Sequence, residues 1–150
     1  MQVLVVEDDL LLADCLAETL QFEGHFVCGI ATTVAQGVAL ARQHHPDIGI
    51  FDMNLGGIER GSDVVIQLAA SGDLRDTGIL YVTGEPERVL AEVTVGHACL
   101  TKPYRFATLT AALEIVREVA RDGGTSRPLP RGLQLLPAVV AQAEVPRRRA

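Results

Sequence analysis

A parallel α/β sheet with helices on both faces is the fold class this sequence predicts, and three observations lead there. Short apolar, β-branched runs alternate five times with segments of helical periodicity, the pattern of strand–helix–strand units joined by right-handed crossovers. The runs are apolar at successive positions, as in strands buried on both faces, and do not alternate with polar residues. Several stop abruptly at a charged or hydroxyl side chain, which places that group at the open rim of the sheet, where such folds hold their ligands.

Val3-Leu4-Val5-Val6 is the first strand and stops at Glu7-Asp8-Asp9. The next segment is helical, with Leu12, Leu16, Thr19 and Leu20 on the side expected to face the core, and Gly24 closes it as a C-terminal cap. His25 to Ala31 reads as a second strand. Thr32 or Thr33 can cap the helix that follows, which presents Val34, Val38 and Ala41 and stops before Pro46. The third strand, Ile48-Gly49-Ile50-Phe51, runs straight into Asp52. The loop Leu55-Gly56-Gly57-Ile58-Glu59-Arg60-Gly61 then leads to Ser62, the expected cap of a helix reaching about Ala70.

Gly78 to Thr83 is a fourth strand, and Gly84-Glu85-Pro86 opens a helix with proline in its first turn. Gly96 keeps that helix short. His97 to Thr101 is a fifth strand, closed by Lys102-Pro103. The last helix sets Phe106, Leu109, Leu113, Val116 and Ala120 on one apolar stripe, with Glu114, Arg117, Glu118 and Arg121 on the outer face. Residues 1–121 thus form one domain. From Asp122 a Gly/Ser/Pro-rich linker begins, and the chain ends in Pro146-Arg147-Arg148-Arg149. Leu133 to Gln142 is apolar but interrupted by Pro137, so residues 122–150 are expected to be a largely disordered tail.

Composition narrows the function. With 48% hydrophobic residues and a mean hydropathy of +0.24, a packed core is expected. A net charge of −6 argues against a nucleic-acid binder with a basic surface, and direct DNA binding is not expected. Cys15, Cys28 and Cys99 lack C-x-x-C spacing and are expected as buried free thiols. His25, His44, His45 and His97 show no ligand spacing. No apolar stretch is long enough to span a membrane and no basic leader precedes the first one, so a cytoplasmic location is expected.

In a parallel sheet all C-terminal strand ends open on one edge, which brings Glu7, Asp8, Asp52, Thr83 and Lys102 together. Taken singly each is unremarkable: an aspartate closing a strand usually caps a loop, and a lysine before proline usually ends a strand. Their co-occurrence is what is specific. Gathered carboxylates in a partly desolvated cleft repel unless a cation lies between them. Oxygen-only ligands suit a hard ion, and Mg²⁺ is the natural choice where phosphate is handled. Asp8 and Asp52 would bind it directly, Glu7 through water, and the Asn54 backbone carbonyl would complete the protein's share; Asp9 is assigned to capping the first helix. The Lys102 ammonium and the Thr83 hydroxyl can then bind a phosphoryl group, with a carboxylate in line as nucleophile.

The segments Val5-Val6-Glu7-Asp8-Asp9, Phe51-Asp52-Met53-Asn54-Leu55, Val82-Thr83-Gly84 and Leu100-Thr101-Lys102-Pro103-Tyr104 resemble, in order and separation, the receiver domain of two-component response regulators. That resemblance covers about residues 1–121. It implies a flavodoxin-like five-stranded sheet of order 2-1-3-4-5, with the site at the switch point between the first and third strands. It also implies that Asp52 accepts a phosphoryl group from a histidine kinase or phosphotransfer protein, with Mg²⁺ at Asp8, Asp52 and Asn54. Thr83 and Lys102 would bind the phosphoryl oxygens, the Lys102-Pro103 peptide would be cis, and the domain would slowly hydrolyse its own acyl phosphate.

Three departures stand beside the likeness. Cys99 occupies the position, three before Lys102, where the family usually has the aromatic ring that rotates on signalling. The loop after Asp52 is about one residue longer than usual. The stretch from Thr83 to Lys102 is short by roughly a turn, which predicts a stunted fourth helix. These features, with Lys102-Pro103-Tyr104-Arg105-Phe106, are similar to the variant receivers that partner HWE-type histidine kinases. They point to a switch that orders residues 84–96 when Thr83 engages phosphate. The expected product is a regulator without an output domain, acting through an unknown downstream protein or as a phosphate sink for a shared kinase, with a homodimer through the last helix and fifth strand as a possible assembly. Two alternatives remain: an unphosphorylated pseudo-receiver, and an aspartate-based phosphatase. The phosphatase needs a second acid two residues after Asp52, where Asn54 stands.

Overall fold

The five expected strands and five expected helices all form, and a sixth strand joins them. The computed structural model describes residues 1–137 and 139. In chain order the elements are β1 (Gln2–Val6), α1 (Leu10–Phe22), β2 (Phe26–Ala31), α2 (Val34–His44), β3 (Ile48–Asp52), α3 (Gly61–Ala70), β4 (Gly78–Thr83), α4 (Pro86–Glu92), β5 (Ala98–Thr101), α5 (Phe106–Asp122) and β6 (Leu133–Leu135). The sheet order is β2-β1-β3-β4-β5-β6. The first five strands are parallel, in the expected flavodoxin-like order, and β6 lies antiparallel to β5.

Alternation along the strands divides the core in two. Val3, Val5, Ile48, Ile50, Leu80, Val82 and Leu100 pack with α1 and α5, whereas Leu4, Val6, Phe51, Ile79, Tyr81 and Cys99 pack with α2, α3 and α4. Successive side chains of each strand point to opposite faces, and helices on both faces bury the two sets, which is why fully apolar strands are accommodated. α2 buries Val34, Val38 and Ala41 as the periodicity predicts, and Thr33 caps it by accepting from the Gln36 N–H. α4 spans seven residues with Pro86 in its first turn, the short helix expected.

Four expectations are corrected. The face of α1 against the sheet is Ala13, Ala17 and Leu20, while Leu12 is 54% exposed. Small residues let that helix sit close to β1, which turns the larger Leu12 outward. α3 begins two residues earlier than a cap at Ser62 implies, at Gly61 with Arg60 in the cap position; a side chain at Gly61 would overlap the Asp52 carbonyl, so the helix starts where glycine permits that approach. Cys15 is exposed and Cys28 half-buried, so only Cys99 is the buried thiol expected.

The fourth correction concerns the segment after α5. The linker runs back along α5, where the Arg127 guanidinium pairs with Glu118 at 2.9 Å, and delivers β6 to the outer edge of β5. The Thr101 N–H donates to the Gly132 carbonyl and the Leu136 N–H to the His97 carbonyl. Leu133, Leu136 and Val139 are buried. Burial of each such side chain contributes roughly 1.5–3 kcal/mol, which is what draws this part of the supposedly disordered segment onto the sheet. The remainder of the expected tail, residue 138 and residues 140–150, lies outside the described residues.

Candidate functional site

The C-terminal ends of β1, β3, β4 and β5 meet at one rim, as a parallel sheet requires, and all the expected side chains gather there. β1 ends at Val6, so Glu7 and Asp8 leave the sheet beside Asp52, the last residue of β3. Thr83 ends β4 opposite Thr101, and Lys102 follows directly, its N–H donating to the Thr83 carbonyl at 2.7 Å. The Lys102–Pro103 peptide is cis. Asp9 does cap α1, its carboxylate accepting from the Leu11 and Leu12 N–H groups.

The Lys102 ammonium lies 2.8 Å from Asp52 Oδ2 and 3.6 Å from Glu7 Oε2. The other Asp52 oxygen accepts from the Asn54 N–H at 2.9 Å, so the carboxylate is held by one contact on each side. Glu7 and Asp52 are buried and Asp8 is exposed, and a ligand oxygen from each lies within 4.8 Å of the others. Three carboxylates thus converge, and two of them pair with one ammonium. Burial, with the neighbouring Asp52 carboxylate second, pushes the Glu7 carboxyl up to about 7. For Lys102, burial acts most strongly against the charged form, but the hydrogen bond and charge of Asp52 together with the Glu7 charge outweigh it, and the ammonium sits above its usual range.

This donor set fits a hard divalent cation. All the side-chain ligands are oxygens, they converge, and their mutual repulsion is only partly offset by Lys102. Asp8, the exposed member, lies against the loop at Gly56. Thr83 is buried, and its hydroxyl accepts from the Glu85 N–H at 3.0 Å, which fixes the oxygen at the start of α4.

Two features of the surroundings were not legible in the sequence. A cleft of about 230 Å³ runs from Asn54 past Thr83 to Arg60 and Arg88. Both guanidiniums are held by Glu92, at 2.8 and 3.2 Å, which ties the β3–α3 loop to α4. On the other side of Lys102, a larger and mainly apolar groove of about 580 Å³ lies between α1 and α5, lined by Leu12, Leu16, Tyr104 and Phe106. No local signal marks Leu12 or Arg60 as rim residues, because their position depends on how α1 tilts and where the long loop returns.

Comparison with known proteins places the fold in one family. Residues 3–114 match the profile described as the response regulator receiver domain. The chain is 31% identical over 120 residues to the transcriptional regulatory protein PdtaR of Mycobacterium tuberculosis, covering 76% of this chain and 55% of that protein. It therefore spans about half the length of the curated relatives it matches. Among solved structures, the chemotaxis protein CheY4 of Vibrio cholerae is 28% identical with a TM-score of 0.66, over 77% of this chain and 97% of that one. The anti-anti-sigma factor PhyR of Bartonella quintana is 25% identical with a TM-score of 0.65, over 81% of this chain and 48% of that one.

Proposed function

This chain belongs to the response regulator receiver domain family, and on that premise we propose that it is a phosphorylation-dependent switch whose acceptor is Asp52. The single observation that carries the reading is the 2.8 Å contact between Lys102 Nζ and Asp52 Oδ2, with Glu7 and Asp8 converging on the same carboxylate.

A histidine kinase or phosphotransfer protein is the proposed donor. The apolar groove between α1 and α5 opens beside Lys102, so a helix carrying phosphohistidine can cover it and present its phosphorus to the rim. An Asp52 oxygen then forms a bond to phosphorus as the bond to the donor imidazole nitrogen breaks, and the electron pair returns to that nitrogen. Lys102 shifts from pairing with the carboxylate to pairing with phosphoryl oxygens. The Thr83 hydroxyl, so far only an acceptor from the Glu85 N–H, donates to another of these oxygens. Mg²⁺, when bound at Asp8, Asp52 and the Asn54 carbonyl with Glu7 through water, would supply the positive charge that the phosphoryl oxygens need.

Release of the acyl phosphate by water would reset the switch. The downstream step would be binding of a partner protein, or removal of phosphoryl groups from a shared kinase. To test the acceptor, the chain is incubated with acetyl phosphate and Mg²⁺ and its intact mass is read. Wild type should gain one phosphoryl group and Asp52→Asn none. Labelling of neither would favour an interaction module that works without phosphate, and labelling of both would move the acceptor elsewhere.

A further inference from the structure

The outer edge of β5 is occupied by the chain itself, and the way it is occupied describes a ligand. An exposed strand edge is a template for another extended segment, because its N–H and C=O groups are unpaired on that side. Here Leu133 pairs with Leu100, Gln134 with Cys99 and Leu135 with Ala98, and backbone bonds from Thr101 to Gly132 and from Leu136 to His97 close the two ends. The side chains straddle the edge. Leu133 packs with the core beneath α5 and Leu136 with the core beneath α4.

The Leu136 seat is shaped for it. Gly96 adopts φ +141, and a side chain there would meet Tyr81 and the Leu136 methyl. Cys99, small and buried, leaves the rest of the room beside Tyr81. The other end is less complete: a cavity of about 480 Å³ lies between Arg131 and Gly132 on one side and Pro103 and Tyr104 of the β5–α5 loop, with Thr108 of α5, on the other. Ten residues separate α5 from β6, and the Arg127–Glu118 ion pair that ties this linker to α5 is more than half exposed on the arginine side. The segment is thus anchored by a short strand and few sockets, at the end of a tether.

We infer that the β5 edge is a strand-addition docking site for an extended, leucine-anchored segment of a partner protein, and that residues 132–136 are the tethered occupant which that segment displaces. The occupant specifies the chemistry: a chain antiparallel to β5, with leucine-sized side chains three residues apart and a glycine before the first. The site lies beside Thr101, the residue before Lys102, and the cavity at its open end is also lined by Lys102, so it adjoins the rim. This inference goes beyond the phosphorylation reading and is tested with no phosphodonor present, so either can fail alone.

The probe is a fluorescent peptide of residues 130–139, added to the full chain and to the full chain carrying Leu133→Asp and Leu136→Asp. The variant should bind it at least tenfold more tightly than wild type, with amide shifts at Ala98 to Thr101. Binding to neither protein, equal binding to both, or shifts confined to the α1–α5 groove would overturn the site. Amide shifts of β1 and β3 report whether the variant is folded. Hydrogen exchange of wild type covers the case in which it is not. The Leu136 and Thr101 amides, whose bonds cross between tail and β5, should exchange at least a hundredfold faster than those of β1 and β3. Exchange only at the rate of global unfolding would mean that the segment never leaves, and would also overturn the inference.

Discussion

Tyr81 donates its phenolic O–H to the Val95 carbonyl at 2.6 Å, from a position two residues before Thr83 on β4 and directly opposite Cys99 on β5. The ring that a receiver usually carries on β5 is absent, and a buried ring on the neighbouring strand instead reaches the α4–β5 connection. Tyr81→Phe removes that tie while keeping the packing. Stability should fall by about 1 kcal/mol, and hydrogen exchange over residues 93–97 should rise. On adding beryllofluoride and Mg²⁺, wild type should gain exchange protection across residues 84–96 and Tyr81→Phe should gain less. Equal protection in the two proteins would exclude Tyr81 from the switch.

Lys102 is the cation nearest the acceptor among the described residues, so its loss should be felt in the reaction more than in the fold. Lys102→Met should slow phosphorylation by acetyl phosphate roughly 10²-fold, the usual effect of removing one preorganised donor to transition-state charge. Mg²⁺ affinity should be kept or raised, since the carboxylates lose a competing cation. A stopped-flow series against Mg²⁺ concentration separates the two effects.

Asp8 is the exposed member of the acidic trio and has the least to lose by neutralisation. Without divalent ions, Asp8→Asn should melt higher than wild type, because it relieves repulsion that only Lys102 now offsets; about 1 kcal/mol is expected. With millimolar Mg²⁺ the order should reverse, since ligand binding stabilises only the protein that retains the site. Melting curves with and without EDTA read both signs.

The cysteines should divide by reactivity. Burial pushes the Cys99 thiol up to about 11, and Cys99 is fully enclosed, so it stays protonated and inert to maleimide at pH 7.5. Cys15 is exposed and should label first. Cys99 should label only on unfolding, and mass mapping after limited labelling distinguishes the two.

His97 provides a pH dependence. Its Nδ1 accepts from the Ile79 N–H at 2.9 Å, and burial holds the ring below its ordinary value of 6.5. Below that pH the unfolded chain takes up a proton that the folded ring refuses. The stability is therefore present above pH 6.5 and lost as pH falls below it. His97→Gln, which can still accept from Ile79, should flatten the fall in melting temperature between pH 7 and 5.5.

Much of this was legible in the chain. Where each strand ends is a local matter: an apolar run stops at Glu7, at Asp52, at Thr83 or at Lys102, and parallel pairing then brings those ends to one rim. The caps at Asp9 and Thr33 were equally local, needing only a side-chain oxygen within reach of the next turn's N–H groups. Leu12 was misplaced because periodicity names a stripe without saying which part of it the sheet will cover, and the small Ala13 and Ala17 allowed the closer approach.

What the sequence by itself determined is the succession of elements and the identity of the side chains at their ends, since both follow from short-range spacing and backbone preference. The tertiary structure alone decided that Leu136 fills the space beside Cys99 and Tyr81, and that β6 closes the edge of β5. Those contacts join segments tens of residues apart, and their stability comes from sockets that exist only after the other elements have packed.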